Sequence, residues 1–265
     1  MRVAQTVEHI RTRGWVVLDK LIPPEEVGRV RAATLAAAER YRNPNAPEHI
    51  GHVSSFIRYD QALAPYLADK RLLAVVEALL GPHCRISFTS ATINEPGNAR
   101  GGWHADWPFN QNNAGHIPSP YPDIVMHLTT IWMLSAFSDA NGGTLLVPGS
   151  HRSPDNPTEN NGTPADDPCP GETNACGPAG SVLVMDSRLW RATAPNTSAE
   201  PRVAVVVRYA PRWLDLSVLD PESAERAYLT KATDKSDNKV PRIPAAVYSA
   251  LPENVKPLFR HWIAL

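Results

Sequence analysis

Two kinds of hydrophobic patterning divide the chain. Up to about residue 82, apolar positions recur with helical spacing. Residues 4–13 (AQTVEHIRTR) predict a short helix closed by Gly14, and Trp15-Val16-Val17-Leu18 a short strand. Pro23-Pro24-Glu25-Glu26 opens a second helix, with proline in its first turn and acids near its positive end, that runs on to about Arg42. A third helix is predicted over 62–80, stopped by Gly81-Pro82. From Cys84 the pattern changes. CRISFTSATINEP alternates like a strand and is turned by Pro96-Gly97, and 123–137 is one long β-branched and aromatic run. Segments 144–148, 181–186 and 202–210 are three more strands, and helices are predicted again at 221–232 and 243–262.

Long strands with few helical segments between them predict an antiparallel sandwich or barrel rather than βαβ units. The expected architecture is one domain over 1–265: a helical flank to about 82, an all-β core over about 84–212, and a helical flank over about 215–265. The stretch 152–178 holds six prolines and three glycines in 27 residues, so it is expected to form no regular element and to serve as a lid or rim.

Composition narrows the function. With 26 Lys+Arg against 27 Asp+Glu the net charge is −1, which argues against a protein that coats nucleic acid or an anionic membrane. No apolar run is long enough for a membrane span, and the N-terminus lacks the apolar core of a signal peptide, so a cytoplasmic setting is expected. Cys84, Cys169 and Cys176 fit no zinc-finger spacing, and no disulfide is expected. The 26 prolines, about twice the usual ~5%, suit a loop-rich β fold.

The sharpest chemical signal is Trp103-His104-Ala105-Asp106-Trp107-Pro108. An imidazole and a carboxylate two residues apart on an extended segment point the same way, the placement that puts two ligands on one divalent ion. A second histidine from a distant strand would complete the facial triad of non-haem iron oxygenases; a surface turn is the plain alternative. Further along stand Asn141-Gly142-Gly143-Thr144 through Pro148-Gly149-Ser150-His151-Arg152, then Gly180-Ser181-Val182 through Trp190, Ala194-Pro195-Asn196 and Arg202.

Together and in this order, over roughly residues 8–212, these segments resemble the phytanoyl-CoA dioxygenase family of iron(II)- and 2-oxoglutarate-dependent oxygenases. The resemblance implies a double-stranded β-helix (a cupin-like jelly roll) flanked by helices, in agreement with the strand pattern. It implies iron(II) as cofactor, with 2-oxoglutarate and dioxygen as cosubstrates, and hydroxylation of an aliphatic carbon of a small molecule; halogenation is disfavoured because Asp106 is present. His104 and Asp106 match the first two iron ligands. Arg202 matches the arginine that pairs with the far carboxylate of 2-oxoglutarate, Thr193 the hydroxyl beside it, and Ser90 a further cosubstrate contact.

One position departs from the pattern. The third ligand is a histidine eleven residues before the cosubstrate arginine, and Arg191 stands there, in Trp190-Arg191-Ala192-Thr193-Ala194-Pro195-Asn196. A guanidinium has no lone pair to give a metal. Three explanations are open. His116, His127 or His151 supplies the ligand; or the chain has lost iron and kept the pocket, with Arg191 paired to Asp106 or to an anionic ligand, as a binding module for a small anion or a partner protein; or Arg191 is a recent or engineered substitution in an ordinary oxygenase. A cupin-like isomerase would share the fold but has no use for Arg202. Trp103, Trp107, Phe109, Asn110, His116 and His127 are candidate substrate contacts, with core packing or a solvated loop as the alternative. Arg208 and Arg212 could bind a carboxylate or phosphate, although exposed ion pairing is the expected role.

Overall fold

The computed structural model describes residues 2–157 and 167–264. Helix α1 (Val3–Arg13) ends on Gly14, whose φ of +89° is open to glycine at little strain, and β1 (Trp15–Leu18) follows directly. Helix α2 spans Pro24–Tyr41. The sequence does not show β2 (Ile50–Ser54), a mixed IGHVS segment. The third helix is shorter than expected. Pro65 allows only a 3-10 turn at Ala64–Tyr66, and α3 (Lys70–Leu80) begins where the Asp69 carboxylate accepts from the backbone N–H groups of Arg71 and Leu72.

The remaining strands are β3 (Arg85–Asn94), β4 (Leu128–Met133), β5 (Thr144–Leu146), β6 (Thr173–Ala175), β7 (Val182–Asp186), β8 (Arg191–Thr193) and β9 (Arg202–Ala210). They form two antiparallel sheets, β1-β7-β4-β9-β3-β2 and β6-β5-β8, the facing layers of a jelly roll. Alternation along β9 assigns the faces. Val203, Val205, Val207 and Tyr209 join the core shared with the helices, whereas Ala204 and Val206 join Met133, Leu146 and Met185 between the sheets. Both faces of the large sheet are therefore covered, which is why β4, β7 and β9 read as nearly unbroken apolar runs.

Three expectations are corrected. The run 123–137 is a strand only from Leu128, because Leu128 pairs with the last residue of β7, Asp186, and with Tyr209 next to the end of β9, so no ladder partners remain for what precedes it. The proline-rich stretch does contain a regular element: β6 pairs with β5, and next to it Glu172 accepts two bonds from Arg100 at 3.0 and 2.6 Å. Of the expected lid, residues 158–166 lie outside the described residues. The C-terminal helix predicted over 243–262 is two short helices, α5 (Ala245–Ala250) and α6 (Lys256–Phe259), with a 3-10 turn at Arg260–Trp262; Pro252 and Pro257 prevent one continuous helix. Before them, α4 (Ala224–Thr233) starts on a Ser223 cap. No helix among the described residues is long and apolar enough to cross a membrane.

Candidate active site

The HxD segment is tied down by its backbone. His104 forms a two-way antiparallel bridge with Arg191 of β8, each N–H to the other's carbonyl at 3.0 Å, and the Asp106 N–H donates to Ser187 O at 2.8 Å. This puts residues 104, 106 and 191 beside one another, as the sequence comparison with an iron triad requires. What they make is an ion-pair cluster. Arg191 donates to Asp106 from Nε at 2.9 Å and from Nη2 at 2.6 Å, a two-bond fork. Arg208, from β9, donates Nη2 to the same Oδ1 at 2.5 Å, and the Thr129 hydroxyl donates to Oδ2 at 2.8 Å. Arg208 was expected to be exposed; it is buried, with its guanidinium over the Phe88 ring at 4.8 Å.

A carboxylate has about four lone-pair positions, and all four on Asp106 are taken. Burial pushes the Asp106 carboxyl up, but the Arg191 and Arg208 charges outweigh it and hold the group well below the usual carboxylate range. His104 keeps some surface toward the cavity it lines, yet is enclosed by protein. Burial, then the Arg191 charge, lowers it to about 4, so it is neutral at pH 7, with Nδ1 bonded to Gly102 O at 3.0 Å.

A relay of hydroxyls extends from Asp106. Because the Thr129 proton goes to Asp106, Ser187 must donate to Thr129 (2.9 Å) and accept from His127 Nδ1 (2.8 Å); Ser87 then donates to His127 Nε2 (2.7 Å). The network makes His127 a neutral Nδ1–H tautomer with both nitrogens used, and burial lowers its pKa to about 3. His127 is thus no substitute ligand. His116 bonds Asn113 O through Nδ1, and His151 bonds Arg11 O through Nε2 behind Gly14. Among the described residues no three His, Cys, Asp or Glu side chains converge to hold a metal ion.

Beside the cluster is an open cavity of about 660 Å³, with Ser90, Thr92, His104, Arg191, Thr193 and Arg208 in its wall. Two expected cosubstrate contacts, Ser90 and Thr193, are therefore on it. Arg202 is buried on the same β9 face as Val206 and Arg208, its guanidinium 4.8 Å over the Phe137 ring and its Nε donating to Gly142 O at 2.9 Å. Among the described residues no carboxylate pairs with it; burial, then the Arg191 charge, lowers its pKa to about 10. The expected substrate contacts lie elsewhere. Trp103 packs with Leu145 and Ala192 and donates Nε1 to Asp167 O at 2.7 Å. Trp107 packs in the main core edge-on to His127 at 5.4 Å, and Phe109 is edge-on to Tyr121 at 5.2 Å. Asn110 closes an Asx turn onto Asn112 N. None of these, nor His116, lines the cavity.

A two-layer antiparallel jelly roll with an HxD segment bridged to its small sheet and a buried arginine opening its last strand defines a protein of the oxygenase-type jelly-roll class. The family model for phytanoyl-CoA dioxygenase matches residues 10–204. The chain belongs to the phytanoyl-CoA dioxygenase family, whose members are non-haem iron, 2-oxoglutarate-dependent oxygenases. The chain is 27% identical to a protein named dioxygenase af480 from Aspergillus fumigatus over 76% of its own length, and spans 64% of that protein. It is 24% identical to an ectoine dioxygenase of Streptomyces anulatus, over 52% of this chain and 48% of that one. Among solved structures, HygX from Streptomyces hygroscopicus, with nickel, 2-oxoglutarate and hygromycin B bound, has a TM-score of 0.63 at 18% identity, covering 79% of this chain and 88% of that one. The apo form of EctD from S. alaskensis has a TM-score of 0.63 at 20% identity, covering 78% and 76%.

The iron that this family implies does not fit the residues as they stand here. Two of the three expected ligands are present, but Asp106 has no acceptor position left, and the third place is held by a cation that no accessible pH discharges.

Proposed function

We propose that this chain, an oxygenase by family, binds a small organic acid at the mouth of its jelly roll without iron, with Arg191 taking the place of the third metal ligand. The observation that carries this reading is the saturated Asp106 carboxylate, forked by Arg191 and capped by Arg208. A metal would have to displace charge-assisted bonds at a carboxylate 2% exposed and would meet a fixed positive charge beside it. His104 and Asp106 keep the placement of ligands but act as a wall and a counter-ion. Arg191, Thr193 and Ser90, which line the cavity, supply polar groups to an anion, and Arg202 lies buried on the same face of β9 as Arg208.

A second reading is a working dioxygenase that hydroxylates an aliphatic carbon of a small molecule, using iron(II), 2-oxoglutarate and dioxygen. It is supported by His104, neutral and, among the described residues, with no hydrogen bond at Nε2, and by Arg202, with which none of the described carboxylates pairs. His104 and Asp106 lie side by side, and Thr193 and Ser90 line the cavity beside them. On this reading Arg191 must leave Asp106 when iron enters. In either case the partner is a small molecule, consistent with relatives named for ectoine or bound to hygromycin B.

An anaerobic titration with iron(II) and 2-oxoglutarate, following the visible charge-transfer band of the chelate, separates the two. The metal-free reading expects no band in the unmodified protein and a band in Arg191→His. A stoichiometric band in the unmodified protein overturns it in favour of the dioxygenase.

A further inference from the structure

We propose that a second cavity, beside the start of β3, binds the phosphate group of a small phosphomonoester through Arg85, Arg212 and Arg260. This site does not depend on the reading given above for the jelly-roll mouth. It is built where β3 begins and β9 ends. Arg85 pairs with Ala210 in the ladder, and its Nη2 donates to the carbonyls of Arg212 at 3.0 Å and Leu214 at 2.5 Å. The turn Arg260–Trp262 is pinned against the same strand, because Trp262 Nε1 donates to Ile86 O at 2.8 Å. Among these fixed points is a cavity of about 480 Å³, within the range of about 300–1,000 Å³ that holds small organic ligands. Among the described residues it shares no lining side chain with the cavity beside Asp106. Arg85 and Ser90, one in each wall, are five residues apart on β3, so their backbones are about 17 Å apart.

The wall carries one sign of charge. Besides the three arginines it has His83 and His261, and no carboxylate among the described residues. Cys84 adds no negative charge, since burial pushes its thiol up to about 12. The acids that act on this group are Asp215, which accepts from Ser217 N and Oγ, and Glu77; both are exposed and neither lines the cavity. Burial, then the Arg212 charge, lowers the pKa of Arg85, so the guanidinium groups repel one another as they stand. Among the described residues Arg212 and Arg260 make no side-chain hydrogen bond and no ion pair. Polar atoms in the wall lack partners too. Arg85 Nε is buried with none, and the two buried ring nitrogens of His261 have beside them the Ile86 carbonyl, which Trp262 already uses.

These donors suit a phosphate better than a carboxylate. A carboxylate is planar and carries one charge, which a single guanidinium fork satisfies. A phosphomonoester brings roughly −1.5 to −2 charges and three terminal oxygens, enough for three guanidinium groups approaching from separate segments. Arg85 is anchored by Nη2 alone, so its Nη1 is available without loss of that anchor. The rest of the wall includes Pro257 and the protonated Cys84, apolar surface against which the organic part can lie.

Calorimetric titration of chelator-treated protein with phenyl phosphate tests the site, with benzoate, sulfate and inorganic phosphate as comparisons. Phenyl phosphate should bind at least tenfold more tightly than each of the three. Arg212→Gln and Arg260→Gln, both at exposed positions, should each lose at least tenfold, whereas Arg191→Gln should bind as the parent does. Phenyl phosphate should also shift the imidazole resonances of His83 and His261, assigned with His83→Gln and His261→Gln, and leave those of His104 in place. Thermal melting of each variant without ligand checks that it is folded. Loss of binding in Arg191→Gln with retention in the other two, or a shift confined to His104, would put the anion beside Asp106 and overturn the proposal. Benzoate binding as tightly as phenyl phosphate would overturn it as well. Equal affinity for sulfate or inorganic phosphate would remove the phosphomonoester assignment.

Discussion

Replacing Asp106 with asparagine tests whether this cluster is an ion-pair core or an empty metal site. The side chain changes little in size but loses its charge, so Arg191 and Arg208 are left buried without a counter-ion. The amide nitrogen also turns a donor toward groups that themselves donate: on one face Arg191 Nε and Thr129 Oγ1, on the other the Nη2 atoms of Arg191 and Arg208. Removing one partner of a buried ion pair typically destabilises by about 3–5 kcal/mol. Here one carboxylate, 2% exposed, serves two cations, which puts the expected loss at the upper part of that range. For a chain of this size that is a fall in melting temperature of roughly 8–20 °C. Differential scanning calorimetry of metal-free protein, with urea unfolding as the second probe, measures it. An unfilled metal site predicts the opposite sign, because there the carboxylate is a poorly compensated charge whose removal relieves strain. A metal-free Asp106→Asn protein as stable as the parent, or more so, would refute the ion-pair core and the functional reading built on it.

Other outcomes follow from the same geometry. His127 is buried neutral with its pKa lowered to about 3, so protonation favours the unfolded chain, where the group titrates near 6.5. Stability should be fully present above about pH 6.5 and fall by about 1.4 kcal/mol per pH unit for this group as pH drops toward 3, and His127→Asn should flatten that part of a urea-midpoint-against-pH curve. Asp106 has the opposite group type but the same direction. Its depressed carboxyl contributes stability that is present above about pH 4 and lost as the pH falls further, so acid unfolding of Asp106→Asn should be shallower there. Gly142→Ala would place a Cβ 2.0 Å from Asn94 Nδ2 and 2.8 Å from Ala194 O at a φ of +77°. It should destabilise by more than about 2 kcal/mol in urea unfolding. It should also weaken anion binding in titration, since Gly142 O holds Arg202.

The elements that could be read from the sequence are those whose side chains carry the reason for them: α1 to Gly14, α2 from Pro24, and the apolar ladders of β7 and β9. Those that could not are elements made by their neighbours. β8 is three residues, Arg-Ala-Thr, with no strand pattern of its own, and exists because β5 and His104 pair with it from either side. β6 is similar, three residues in a proline-rich stretch that find a free edge of β5. In the site, His104, Asp106, Arg191 and Arg202 were legible through spacing and family pattern. Arg208 was legible in part, since its even offset from Arg202 along β9 puts both on one face, but nothing local indicated that Asp106 would lie opposite it. The Thr129–Ser187–His127–Ser87 relay could not be foreseen, because it joins side chains 58 to 60 residues apart along the chain, or 40 apart at its far end.

The charge standing in the third ligand place, together with the acceptor positions each arginine takes, decides which arginine closes the metal place. Of the four on Asp106, Arg191 takes one on each oxygen, Arg208 one on Oδ1 and Thr129 one on Oδ2. Removing Arg208 frees a single position, on the oxygen that Arg191 Nη2 still holds, and leaves the Arg191 charge in the ligand place. Removing Arg191 frees a position on both oxygens and takes the cation out of the ligand place. Histidine at 191 also brings an imidazole to the residue whose backbone is bridged to His104. Arg191→His should therefore bind iron(II) without any change at Arg208, and Arg208→Gln should not bind it although it too removes a cation from the same carboxylate. Both variants keep one arginine on Asp106, so both should stay folded, and near-ultraviolet circular dichroism checks this. Anaerobic titration of the pair with iron(II) and 2-oxoglutarate gives the answer. A chelate band in Arg208→Gln would mean that one freed acceptor position admits the metal even with the Arg191 charge in the ligand place, and the role given to Arg191 would fall.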